Sequence, residues 1–174
     1  LQEIIIKKVK EYLINHSYTK LFKLKEALEV DDAVIKSPEN IAIIKGDFLK
    51  FLDEANYDNS SFIIDIQKLF NLPDSFLTSD EVKGRVVKKI TEGIGKLKLR
   101  SDSILFLKNL AHLPDNVFQN SVMQGIINYL KSETAYSNEI TILEEIKNAF
   151  NLSGLLRNSE ELKEALRDRA KKAF

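Results

Sequence analysis

Apolar residues along this chain recur three and four positions apart, and no segment alternates apolar and polar residues as a half-buried strand does. The first residues, LQEIIIKKVKEYLINH, set Ile5, Ile6, Val9, Tyr12 and Leu13 at helical spacing among Lys and Glu, which predicts an amphipathic helix. Further on, LFNLPDSFLTSDEV, residues 69 to 82, reads as the end of one helix, a Pro turn and the Ser-led start of another. Three relatives align with it without a gap: ALEVDDAVIKSPEN from Ala27, LAHLPDNVFQNSVM from Leu110 and AFNLSGLLRNSEEL from Ala149. The four windows begin 42, 41 and 39 residues apart, a near-constant period of the kind helical-hairpin repeats show.

The aligned columns have a physical reading. Leu21, Ile63, Ile104 and Leu143 share one column, followed three residues later by Leu24, Ile66, Leu107 and Ile146. Next come Ala27, Leu69, Leu110 and Ala149, with Leu28, Phe70, Ala111 and Phe150 beside them, so the columns trace one apolar stripe on a helix. A column between them, Lys25, Gln67, Lys108 and Lys147, is expected to face solvent. Glu29, Asn71, His112 and Asn151 form an exposed polar column just before the corner. At the corner stand Val30, Leu72, Leu113 and Leu152, then Asp31, Pro73, Pro114 and Ser153. A proline biases its predecessor away from the α region, so the first helix should stop near Leu72 and Leu113. Val34, Phe76, Val117 and Leu156 should pin the connection to the core. Ser37, Ser79, Asn120 and Ser159 then stand where a polar cap would open the second helix, with Pro38, Glu39, Glu81 and Glu161 adding start signals. That helix carries Val82, Met123 and Leu162 in one column and Ile44, Val86, Ile127 and Leu166 in the next.

The predicted unit is a helix of about 11 residues, a pinned corner and a helix of about 15, occurring four times after a lone helix. The copies span approximately 18–55, 60–97, 101–133 and 138–174 of a single helical-repeat domain, residues 1–174. Each hairpin buries little alone, so stacking must supply the core. The expected fold is therefore all-α, an N-terminal helix followed by about four stacked hairpins in an α-solenoid, with a closed helical bundle as the alternative. On these residues the chain resembles the α-solenoid class that includes HEAT and TPR-like repeats, and the pattern FNLPxxFxxSxEV of residues 70 to 82 is similar to degenerate helical repeats of long bacterial proteins. It lacks the Trp, Gly and Tyr pattern and the 34-residue period of TPR, so no functional residue carries over. The class implies a surface that binds another macromolecule.

Composition narrows the function classes. The 26 basic and 26 acidic side chains cancel, so no global field recruits nucleic acid or an anionic membrane. No apolar run is long enough to span a bilayer. The chain contains no Cys, which removes thiolate metal sites and Cys nucleophiles and fits a cytoplasmic setting. Starting at Leu1 without a Met and ending in a helix with no stop signal, the sequence is expected to be a fragment of a longer protein.

Candidate chemistry is sparse. His112 has only Asp115 as a nearby co-ligand, and His16 stands at the end of the first helix, where a cation meets the negative pole of the dipole. Gly93, Gly95 and Lys96 fail every requirement of a phosphate loop; the two glycines are expected to end their helix in left-handed caps. No Ser elbow occurs, and the adjacent acids at 31/32, 144/145 and 160/161 diverge on their helices. In the opening window, Asp74 and Asp80 are replaced by Gly154 and Pro38 in other copies, so the corner is not a ligand loop. NSS at Asn59 and NLS at Asn151 match the glycosylation acceptor pattern without implying secretion. No catalytic residue, metal ligand or cofactor site is assigned.

One feature rises above this background. Lys83, Arg85, Lys88, Lys89, Lys96, Lys98 and Arg100 accompany a single Glu92, and Arg85, Lys88, Lys89 and Lys96 are expected to flank an inward row of Val82, Val86, Ile90 and Ile94 and face out. A second cluster comprises Arg167, Arg169, Lys171 and Lys172. The leading expectation is a non-enzymatic scaffold whose outward positions recognise another protein. The alternatives are nucleic-acid binding along the basic ridge of residues 83–100, and a spacer within a larger protein.

Overall fold

In a computed structural model of the chain, the described residues are 2–54, 60–132 and 139–172. They form an all-α fold, with no strand among them. The residues group into two compact units: Leu1–Asp53 with Asn59–Phe76, and Glu54–Asp58 with Leu77–Phe174. The repeat limits placed at 55, 133, 138 and 174, the domain limit at residue 1 and the acceptor Asn59 lie outside the described residues.

The first unit contains α1 (Gln2–Ile14), α2 (Tyr18–Leu28), α3 (Asp32–Ile35), α4 (Pro38–Asp53) and α5 (Ser60–Phe70), and its limit falls inside α6 (Asp74–Leu77). Here α1 packs on α2 and α4, and α5 packs on the same two helices. The second contains α7 (Asp80–Gly95), α8 (Ser101–Leu110), α9 (Asp115–Lys131), α10 (Glu139–Ala149), α11 (Ser153–Asn158) and α12 (Glu160–Lys172). There α7 packs on α8 and α9, α10 on α8, and α12 on α9. First helix thus lies on first helix in both units, α2 on α5 and α8 on α10, and in the second unit second lies on second, α7 on α9 and α9 on α12.

All four first helices end alike. Glu29, Asn71, His112 and Asn151, one column of the alignment, take φ of 48°, 46°, 47° and 50°. This left-handed step lets the next residue turn back, so that Val30, Leu113 and Leu152 donate their N–H to the carbonyls of Lys25, Lys108 and Lys147 at 3.0 to 3.1 Å. Those bonds satisfy carbonyls that the end of a helix would leave orphaned. In the second copy Asn71 donates to the Gln67 carbonyl instead, at 2.8 Å. Leu72, Leu113 and Leu152 are buried directly after the turn and anchor it.

The column Lys25, Gln67, Lys108, Lys147 does not simply face solvent: all four side chains are half-buried. Lys25 and Lys108 each reach seven residues ahead, to Asp32 and Asp115, at 2.6 Å. Gln67 donates to the Leu72 carbonyl at 3.5 Å. The turn folds the chain back over its own helix, which carries the corner to these side chains. Hydrogen bonds from Lys25 and then Lys36 hold the exposed Asp32 carboxyl at about 2, below its ordinary 3.8. What this adds to stability is present above the ordinary value and disappears as pH falls through the folded one.

Second helices open as expected in three copies. Ser37, Ser79 and Ser159 accept N–H bonds from Asn40, Val82 and Leu162 at 3.2 to 3.3 Å. The third copy differs, because Asn120 lies inside α9. The corner turn, separate in the other copies as α3, α6 and α11, continues there into the second helix without a break. Ser121 bonds back to the Val117 carbonyl at 2.7 Å, as a helix-interior residue does. The buried stripe of α9 accordingly runs Phe118, Val122, Ile126, Leu130, and Met123 is only half-buried.

The glycines of α7 do not form left-handed caps, for no described glycine has positive φ. Leu97 takes that conformation, at 50°, and Lys98 donates back to the Gly93 carbonyl at 2.7 Å. Gly93 instead makes room for Leu99, and Gly125 of α9 lets Ile94 of α7 approach: a Cβ on Gly125 would stand 2.7 Å from the Ile94 Cβ and 3.0 Å from the Thr91 carbonyl oxygen. Gly84, also in α7, has nothing within 4 Å of such a Cβ. Gly125→Ala should therefore destabilise the protein by about 1 to 3 kcal/mol through overpacking, whereas Gly84→Ala should stabilise it by about 0.5 to 1 kcal/mol through helix propensity, both read from urea unfolding.

Candidate functional site

The basic ridge centres on α7, whose inner face is Val82, Val86, Ile90 and Ile94 as the spacing predicts. Its cations do not form one free row. Lys89 is buried, 3% exposed, contrary to the outward position expected for it. Its Cα lies three residues after Val86 and next to Ile90, inside the arc that faces the core, and its Nζ donates to the Glu54 carbonyl at 2.9 Å. Arg85 pairs with Glu81 at 3.0 Å. Glu92 stands between Lys88 and Lys96, 4.0 and 3.9 Å from their ammonium groups. Lys83 is half-buried, Lys98 is exposed, and Arg100 is the exposed residue before α8, with its side chain making no cap bond.

The second cluster is divided in the same way. Arg167 and Lys171 are exposed, and the Lys172 side chain lies outside the described residues. Arg169 turns inward: one guanidinium nitrogen donates to the carbonyls of Tyr129, Leu130 and Ser132 at 3.2 to 3.4 Å, and the group lies 5.1 Å from the centre of the Tyr129 ring. A cation placed on the last carbonyls of α9 meets the negative pole of that helix.

Lys89 and Arg169 occupy one column of the repeat, each three residues after the column of Ile44, Val86 and Leu166. In the first copy that position is Asp47, 9% exposed. Its carboxylate is held by the residues that follow α1, with the opposite charge and opposite partners. His16, just past α1, sets its Nδ1 2.8 Å from Asp47 Oδ2, and the Tyr18 hydroxyl donates to the same oxygen. Phe51 closes the cluster edge-on to both His16 and Tyr18, and stacks on Phe62. Burial first, and then the Asp47 carboxylate that takes its proton's hydrogen bond, push the Tyr18 phenol well above its ordinary range. In the third copy the position holds Leu130 and is apolar.

Sequence reasoning placed His16 at a helix end but missed Asp47 and the inward roles of Lys89 and Arg169. The signal was present: each is a charged residue inside an apolar arc of its helix, as in Asn40, Ile44, Asp47, Phe48, Leu52. The chemistry of these groups is that of clamps, since their polar atoms are consumed by neighbouring helix ends. His112 is exposed and serves as the left-handed corner residue of the third copy. Among the described residues, no group of three or more His, Asp or Glu side chains could hold a metal ion, and no helix is long and apolar enough to cross a membrane. The chain matches no protein-family model, no curated protein and no solved structure.

Removing Asp47 leaves the buried Tyr18 hydroxyl without its acceptor and should cost about 2 to 3 kcal/mol in Asp47→Ala. His16→Ala, at a half-exposed partner, should cost less than about 1 kcal/mol. Equilibrium unfolding of the two variants checks the order.

Proposed function

We propose that the chain is a non-enzymatic helical-repeat module of the α-solenoid kind whose outward surface recognises another protein. The observation that supports this reading most is the pairing of like with like, first helix on first in both units and second on second in the second unit, which is how stacked hairpins extend a shared core. Such stacks present side chains from successive second helices along one surface, and the charged groups held inside as clamps leave that surface to the residues in which the copies differ.

Nucleic-acid binding receives less support from the ridge. Binding along a phosphate backbone requires several cations free to displace counterions. Here Lys89 is committed to a carbonyl, Arg85 to Glu81, and Lys88 and Lys96 share Glu92.

Fluorescence anisotropy with labelled duplex and single-stranded oligonucleotides, at about 50 mM and about 200 mM salt, separates the two. The proposal expects no binding that depends steeply on salt, and no loss in Lys83→Glu with Lys88→Glu. It further expects that a protein captured by the purified chain rebinds it when purified itself. Salt-sensitive nucleic-acid binding abolished by the double substitution would overturn the reading, as would turnover of a substrate by the purified chain.

A further inference from the structure

The helix α1 is apolar on two sides. Val9 and Leu13 are buried where it packs on α2 and α4. Ile4 and Ile14 are 64% and 68% exposed. With about 100° of turn per residue, these two lie on the side of the helix away from Val9 and Leu13, in a stripe that also contains exposed Lys7 and Glu11. The stripe thus reads Ile4, Lys7, Glu11, Ile14, at intervals of three, four and three residues, the spacing of a helix-pairing seam.

Its order is self-complementary. Run against itself in the opposite direction about its midpoint, the stripe places Ile4 on Ile14, Lys7 on Glu11, Glu11 on Lys7 and Ile14 on Ile4. In a parallel arrangement Lys7 would meet Lys7 and Glu11 would meet Glu11. A twofold axis reproduces the antiparallel set, every contact occurring twice. We propose that this face of α1 docks against the same face of a second copy, giving an antiparallel two-helix contact at the twofold axis of a homodimer. The occupant is a second copy because the charges answer each other only in that register. In the single chain Glu11 pairs with Lys8 at 2.7 Å, a surface pair exposed enough to exchange for the intermolecular one at little cost. The seam is short, about 15 Å from Ile4 to Ile14, so the dimer is a concentration-dependent one.

Sedimentation equilibrium of the 174-residue chain tests this, with circular dichroism confirming that each variant stays helical. Lys7→Glu should weaken dimerisation at least about tenfold, Glu11→Lys likewise, and the combined exchange Lys7→Glu with Glu11→Lys should restore it. The absence of Cys allows a second readout. Mixed and oxidised, Ile4→Cys and Ile14→Cys chains should cross-link to each other, and neither should cross-link alone. A chain monomeric up to about 1 mM, a dimer indifferent to Lys7→Glu, a combined exchange that fails to restore it, or cross-linking of Ile4→Cys with itself would each overturn the proposal.

Discussion

The constraint on which the rest of this structure depends is the closure of the first helices. A residue with a side chain is held at φ near 48° at the same place in all four hairpins, in Glu29, Asn71, His112 and Asn151. Left-handed backbone costs an ordinary residue roughly 1 kcal/mol. Here that cost is offset by the carbonyls satisfied and by burial of the leucine or valine that follows. Once the backbone has turned, Lys25 and Lys108 lie within reach of the acids seven residues on, and the short corner helices have their position. The end of each first helix and the return of the chain at the corner follow from this one local step.

A second device uses charge on the buried side of second helices. Asp47, Lys89 and Arg169 each stand on that side and hold partners from elsewhere in the chain: His16 and Tyr18, the Glu54 carbonyl, and the carbonyls at the end of α9. The choice of charge follows the available partner. Bare carbonyls after a helix take a cation, whereas the turn from α1 into α2 supplies the donors of His16 and Tyr18 and takes a carboxylate. This use of charge is why a count of basic residues overstated the ridge. A lysine inside an apolar arc adds to composition as much as a solvated one does, but its ammonium group is already engaged.

Much of the architecture was legible in the sequence because it rests on local chemistry. The serine caps and the proline-bounded corner each depend on a few neighbouring residues, and the caps recur at Ser37, Ser79 and Ser159, whereas the predicted apolar columns are broken at Ala27, Leu28, Ala149, Val117 and Leu166, which are exposed. The left-handed column was half legible: Asn, His and Asn at one position are the side chains that tolerate that conformation best, but Glu29 hid the pattern. What escaped depended on tertiary context. Asn120 looks like a cap until the helix runs through it, and Gly93 looks like a stop until Leu99 fills the space above it. The burial of Lys89 requires knowing that a carbonyl waits at Glu54. Function is the least legible level, since recognition by a repeat surface resides in exposed positions that no folding rule constrains.

Substitution by glycine at the shared corner tests the central claim most directly, because glycine alone adopts positive φ without penalty. Glu29→Gly should leave stability unchanged or raise it by up to about 1 kcal/mol, while Glu26→Gly, three residues earlier and exposed within α2, should cost about 0.5 to 1 kcal/mol. Equal destabilisation at the two positions, measured by urea unfolding, would mean that the left-handed closure does not hold the corner.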